Sequence, residues 1–141
     1  MKNKLFFFAA LLIILSSCGK PRPMDRIIDE SMSFAMKQYT LMYDVMKDIP
    51  DMLPRTIDPT GTLVTAKSNW WTSGFFPGSL WYLYEYSGNT EFREYAEKFT
   101  ERIEKEKNNK GTHDLGFMLY CSFGNGLRLT GNEAYKDVLL T

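Results

Sequence analysis

An eight-residue pattern recurs in this chain around an identical Gly-Asn pair. Ser87-Gly88-Asn89-Thr90-Glu91-Phe92-Arg93-Glu94 returns 43 residues later as Thr130-Gly131-Asn132-Glu133-Ala134-Tyr135-Lys136-Asp137. Gly74-Phe75 returns 42 residues later as Gly116-Phe117. A Gly-Asn pair of this kind stops one helix and caps the next, the glycine taking a left-handed conformation and the asparagine accepting from the first free backbone amides. A period near 43 is that of helical hairpins, which bury their apolar faces only by stacking on neighbouring units. The last helix ends at Thr141 with Val138 and Leu139 lacking a following partner, so the expectation is the N-terminal part of a longer helical array.

The hairpins can be placed from their hydrophobic periods. Ile28, Met32, Ala35, Tyr39, Met42 and Met46 recur at steps of four and three, which predicts a helix from Asp25 that Pro50 ends. Residues 50–69 carry Pro54, Pro59 and Gly61 without a sustained period and read as a long loop. A second helix is expected to start near Pro77 and run to Tyr86, with Gly88 beyond its end. Phe92, Tyr95, Ala96, Phe99 and Ile103 form the apolar face of a third. After a turn at Asn108 to Thr112, a fourth is expected from about Asp114 to Leu129, closed by Gly131, and Asn132 then caps a fifth.

The N-terminus predicts an address. Lys2 and Lys4 precede an uninterrupted apolar run from Leu5 to Leu15, and Ser16 and Ser17 lead into Cys18. That run is too short for the roughly twenty residues of a bilayer span and suits a secretory signal. Leu15-Ser16-Ser17-Cys18 resembles the bacterial lipobox, in which the cysteine is acylated and becomes the mature N-terminus. More than one acyl chain anchors stably, at about 0.8 kcal/mol per buried methylene. The expected organisation is a signal over residues 1–18, a tether over 19–24 and the helical domain over 25–141. The protein is expected in the cell envelope, lipid-anchored on the periplasmic side or at the outer membrane.

Lys plus Arg equals Asp plus Glu at 17 each, so no field of one sign argues for a nucleic-acid partner. With Cys18 acylated, Cys121 is left without a disulfide partner and reads as a small buried hydrophobe in a helical stretch. No cofactor and no metal is expected.

Two clusters carry candidate chemistry. Asp114 shares a helical face with Phe117, Met118 and Cys121, where a carboxylate looks toward an apolar interior. Burial there would raise its pKa toward that of a general acid. The bland alternative makes Asp114 a helix cap or first-turn charge and His113 a surface residue. Trp70-Trp71-Thr72-Ser73-Gly74-Phe75-Phe76-Pro77-Gly78 combines flat apolar faces with hydroxyls and glycines, the composition of a sugar site, although interhelix packing explains tryptophans equally well. The repeat offset brings Trp71 and His113-Asp114 to one rim.

The run from Asn69 to Trp81, then Tyr84-Glu85-Tyr86-Ser87-Gly88 and His113-Asp114-Leu115-Gly116-Phe117-Met118, resembles the unsaturated glucuronyl hydrolases, glycoside hydrolase family 88. The resemblance implies an all-α (α/α)6 barrel, of which this chain would hold the first two to three hairpins. It implies removal of a 4,5-unsaturated glucuronic acid from the nonreducing end of lyase-generated oligosaccharides by hydration of a vinyl ether. It assigns Asp114 to the assisting catalytic aspartate, His113 to a substrate contact and Trp71 to a stacking tryptophan. The family's principal acid/base aspartate lies on a later hairpin and is absent from this sequence, so the chain taken alone is expected to be inactive. Two rivals stay open: a noncatalytic glycan-binding lipoprotein of helical repeats, and the related unsaturated rhamnogalacturonyl hydrolases.

Overall fold

A computed structural model describes residues 21–141; the signal segment and Cys18 lie outside the described residues. The chain divides into a unit ending at Ser31 and a second running from Met32 to Thr141. In the first, Arg22 and Arg26 both bind Glu30, at 2.7 and 2.8 Å, along the opening turns of α1 (Met24–Met46). The second unit holds the rest of α1, a hairpin of β1 (Met52–Ile57) and β2 (Leu63–Lys67), and α2 (Phe75–Ser87) and α3 (Thr90–Glu101). A 3₁₀ turn (Glu104–Asn108) follows, then a π-helical segment (Gly116–Gly124) that continues directly as α4 (Asn125–Thr130), and finally α5 (Glu133–Leu140). Among the described residues no helix is long and apolar enough to cross a membrane.

The repeat holds at the level of single hydrogen bonds. Gly88 (φ 67°) and Gly131 (φ 68°) both occupy the left-handed region, and each donates its N–H at 2.8 Å to the carbonyl four residues earlier, Tyr84 and Leu127. Ser87 and Thr130, 43 residues apart, turn their hydroxyls back onto the carbonyls of Leu83 and Gly126. The same oxygens accept from the N–H groups of Asn89 and Asn132. Asn89 caps α3 by accepting from Glu91 N–H at 3.0 Å, and Asn132 caps α5 by accepting from Ala134 N–H at 3.1 Å. Each turn thereby satisfies backbone groups that a helix end leaves free.

The two units of the repeat pack in register. Arg128 forms a two-pronged pair with Glu85, 43 positions away, at 2.6 and 2.7 Å. Gly74 and Gly78 lie against the backbone of the π-helical segment. A Cβ on Gly78 would stand 2.6 Å from the Cys121 carbonyl oxygen, and one on Gly74 would overlap the carbonyls of Phe117 and Met118. Only glycine at both positions lets the backbones of α2 and the π segment approach this closely.

The core lies between α2, α3 and the later helices. Trp81, Phe99, Leu80, Ala96, Ile103 and Met118 are wholly buried, and the Trp81 indole N–H is satisfied by the Thr100 hydroxyl at 3.1 Å. Tyr135 packs edge-on against Phe123 and Trp81. Tyr39 and Tyr43 bring α1 onto this core by stacking on Phe76 and Tyr95. The C-terminal end of α1 is capped from a distance. Arg102 lies 4.0 Å over the Phe99 ring and donates to the carbonyls of Met46, Lys47, Ile49 and Met52, a cation where the helix dipole is negative.

Two expectations need correction. Residues 50–69 form an antiparallel hairpin rather than an irregular loop. The Asp58 side chain organises its turn, Oδ1 accepting from Thr60 N–H, Thr60 hydroxyl and Thr62 N–H, and Gly61 supplies the positive φ of 86°. Pro54 is tolerated because both strands of a two-stranded ribbon are edges. The second helix begins at Phe75, which puts Pro77 in its first turn as expected. The fourth begins as wide π turns at Gly116, not as an α-helix at Asp114, with Ser122 and Asn125 side chains bonding the Met118 and Cys121 carbonyls.

Gly78→Ala is expected to cost about 1–3 kcal/mol, because backbone must move to admit one methyl. Gly88→Ala, with open space but a left-handed φ, should cost about 1–2 kcal/mol. Thermal denaturation of the two variants checks both. Burial, reinforced by Glu97 and Glu101, pushes the Tyr135 hydroxyl up to about 12. The unfolded state then loses its proton first as pH rises, so stability should fall between about pH 10 and 12 and be unaffected below. Urea titrations across that range should show the loss in the parent chain and a smaller one in Tyr135→Phe.

Candidate functional site

The segment from Ser68 to Gly74 delivers the aromatic motif to the head of α2. It is a succession of turns, with N–H groups of Trp70, Ser73 and Phe75 bonded to the carbonyls of Lys67, Trp70 and Thr72. Its root is pinned inside the protein, where the buried Ser68 hydroxyl donates to Glu106, itself bound by Asn109 at 2.8 Å. Trp70 lies under the Arg55 guanidinium, 4.0 Å from ring centroid to carbon. Trp71 turns the other way.

Trp71, Phe75 and Phe117 form a mutual edge-to-face triad, with centroids 5.7, 6.1 and 5.9 Å apart. All three rings are exposed, at 42%, 39% and 50%. Large apolar side chains gathered in the open at the end of a helix pair mark a surface that meets something else. The close backbone approach at Gly74 is what brings Phe75 of one unit against Phe117 of the next.

Asp114 lies immediately ahead of Phe117, and its carbonyl accepts the N–H groups of Phe117 at 2.9 Å and Met118 at 3.3 Å. Its own N–H donates to the Thr112 hydroxyl at 3.1 Å, and Oδ1 stands 3.6 Å from His113 Nε2. Of the two readings of Asp114, the buried one is not what the fold delivers. The Asp114 side chain is 24% exposed at the rim, because the helix opens with wide turns and Phe117 faces outward beside it. His113 is 95% exposed, in agreement with a surface position. Two hydroxyls in the neighbouring loop, Thr72 Oγ1 and Ser73 Oγ, are buried without a hydrogen-bond partner among the described residues. Such groups are uncommon in folded proteins and call for an explanation.

The fold therefore joins Trp71 to Phe117, and through it to the Asp114 turn. Reading the sequence missed Arg55 and its stack on Trp70. The β-branched pair Val64-Thr65, soon after a Pro-Thr-Gly turn, was the signal available for that hairpin. Cys121 is half-buried, and burial pushes its thiol up, as befits an unreactive packing residue. Among the described residues no group of three or more His, Cys, Asp or Glu is arranged to hold a metal ion. The site offers flat apolar surface, hydroxyls and a carboxylate, the groups that hold a pyranose ring and exchange protons with it.

Comparison with known proteins bears on this arrangement. No family model matches the chain. An unsaturated glucuronyl hydrolase of Formosa agariphila is 48% identical over 71 residues, which is 50% of this chain and 18% of that protein. An unsaturated chondroitin disaccharide hydrolase of Streptococcus pneumoniae is 29% identical over 118 residues, 80% of this chain and 28% of the relative. The crystal structure of an unsaturated glucuronyl hydrolase specific for heparin superposes with a TM-score of 0.75 at 43% identity, over 82% of this chain and 30% of that one. The chain thus spans less than a third of the length of these relatives. By sequence and by its helical hairpins, which are part of an (α/α)6 barrel, the chain belongs to the family of the unsaturated glucuronyl hydrolases.

Proposed function

We propose that this segment serves a glycosidase that removes a 4,5-unsaturated glucuronic acid from the nonreducing end of lyase-generated oligosaccharides. The observation that carries the reading is the exposed Trp71–Phe75–Phe117 triad beside the Asp114 turn. In this reading the half-chair uronate lies on an aromatic face and the Asp114 carboxylate, three residues before Phe117, reaches its ring. In the proposed reaction a proton is added at C4 of the vinyl ether and water at C5. The resulting hemiketal opens and releases the neighbouring sugar, so the step consumes one water and needs no oxidant. Asp114 is the assisting carboxylate, held by Thr112 and steadied by His113, while Trp71 positions the ring. The principal proton donor is assigned to a later part of the barrel, and a protein spanning the full length of these relatives is the form to assay.

Cys18 is proposed as the acylation site that keeps the enzyme in the cell envelope. Incorporation of labelled palmitate in cells, abolished by Cys18→Ser, is the expected result; labelling that persists in the variant removes the anchor from this reading.

In the full-length protein, Asp114→Asn should lower kcat/KM by about 100-fold or more with an unchanged melting temperature, followed as loss of the ultraviolet absorbance of the unsaturated uronate. Trp71→Ala should act mainly on KM. Near-normal turnover by Asp114→Asn would return Asp114 to a capping role. The 141-residue chain alone should show no turnover, and activity there would refute the assignment of the donor to a later hairpin.

A further inference from the structure

Residues 38–42 of α1, the β1–β2 hairpin and the head of α2 enclose an open cleft of about 350 Å3. That volume falls within the range of roughly 300–1,000 Å3 typical of small-molecule sites. Its walls are largely apolar, with Leu63 and Phe76 among them, and no acidic residue lines it. Its polar side chains are few: Gln38, Tyr39 with its hydroxyl, Thr56, Thr72 and Arg55. Two of them stand out. Thr72 carries one of the two buried hydroxyl oxygens without a partner, and Arg55 makes no ion pair among the described residues.

The position of Arg55 is a product of the local fold. Pro54 pairs with Thr65 and Thr56 with Val64, so Arg55 is the extra residue of a bulge, a device that re-aims a side chain. The guanidinium is then fixed by stacking on Trp70, which leaves its N–H edges available. The acid nearest in sequence, Asp58, makes no ion pair with it, and its Oδ1 is bonded by Thr60 and Thr62 within the turn. Phe75 belongs both to this cleft and to the aromatic triad, so the two sites share a wall.

We infer that this cleft binds an anionic sugar unit next to the one on the aromatic rim, with Arg55 holding its carboxylate or sulfate ester. The inference rests on the glycan reading of the rim. A preorientated guanidinium matches either oxyanion with two parallel hydrogen bonds, and an apolar wall matches the sugar face.

Trp fluorescence and calorimetric titrations of the chain test it with four probes: glucuronate, N-acetylglucosamine 6-sulfate, N-acetylglucosamine and inorganic sulfate. One or both anionic sugars should bind about tenfold or more tightly than the neutral sugar and than inorganic sulfate, and whichever does so identifies the oxyanion. Arg55→Gln should erase that preference and Arg55→Lys keep part of it. A neutral sugar binding as well as the anionic ones, inorganic sulfate binding as well as the sulfated sugar, or an Arg55→Gln titration equal to the parent's would each overturn the inference. These titrations require no turnover, so a failed hydrolase assay does not alter what they show, and an Arg55-independent result leaves the hydrolase reading standing.

Discussion

Two glycines one helical turn apart set the geometry on which the rest depends. With no Cβ at Gly74 or Gly78, α2 lies against the backbone of the π-helical segment, and successive units settle in register at 43 residues. A helix pair separated by ordinary side chains would hold its axes about 8–10 Å apart and could slide. Here the carbonyls of Phe117 and Cys121 leave no room for anything larger than hydrogen, so the register is decided by sterics. The Glu85–Arg128 pair, exposed on both sides, reports that register more than it enforces it.

The exposed site follows from this contact. Phe75 is the first residue of α2 and Phe117 sits at the head of the next unit, and only a close, in-register approach sets their rings edge to face with Trp71. Trp71 itself is aimed by a turn anchored through Ser68 to a buried carboxylate and through Trp70 to Arg55. The hairpin thus does more than connect α1 to α2. It supplies the cation that braces the loop on one side while the triad forms on the other.

Remote anchoring recurs at α1. Beside the local bond from Ile49 N–H to the Met46 carbonyl, the carbonyls at its C-terminal end are gathered by Arg102, some fifty residues later, whose guanidinium is steadied on Phe99. A single residue of the turn after α3 therefore ties the first helix, the entry to the hairpin and the core together. Such a contact has no signature in the sequence around Met46, because nothing local specifies which distant cation will arrive.

What the sequence determined by itself is the repeat and its punctuation. Gly88 and Gly131 must be left-handed, Asn89 and Asn132 must cap, and the apolar faces around Phe92, Ala96 and Phe99 must turn inward, since each depends on residues within one or two turns. The sugar-like composition around Trp71 and the place of Asp114 at a helix head were legible for the same reason. The hairpin over residues 52–67 was obscured by three breakers, Pro54, Pro59 and Gly61, which mark a turn and an edge strand as readily as a loop. Tertiary structure alone decided that Asp114 stays at a partly exposed rim rather than in an apolar interior, that Arg55 lies on Trp70, and that three exposed rings meet. Each of those outcomes is a contact between segments far apart in sequence, and the distance between them is governed by how closely two backbones can approach at Gly74 and Gly78.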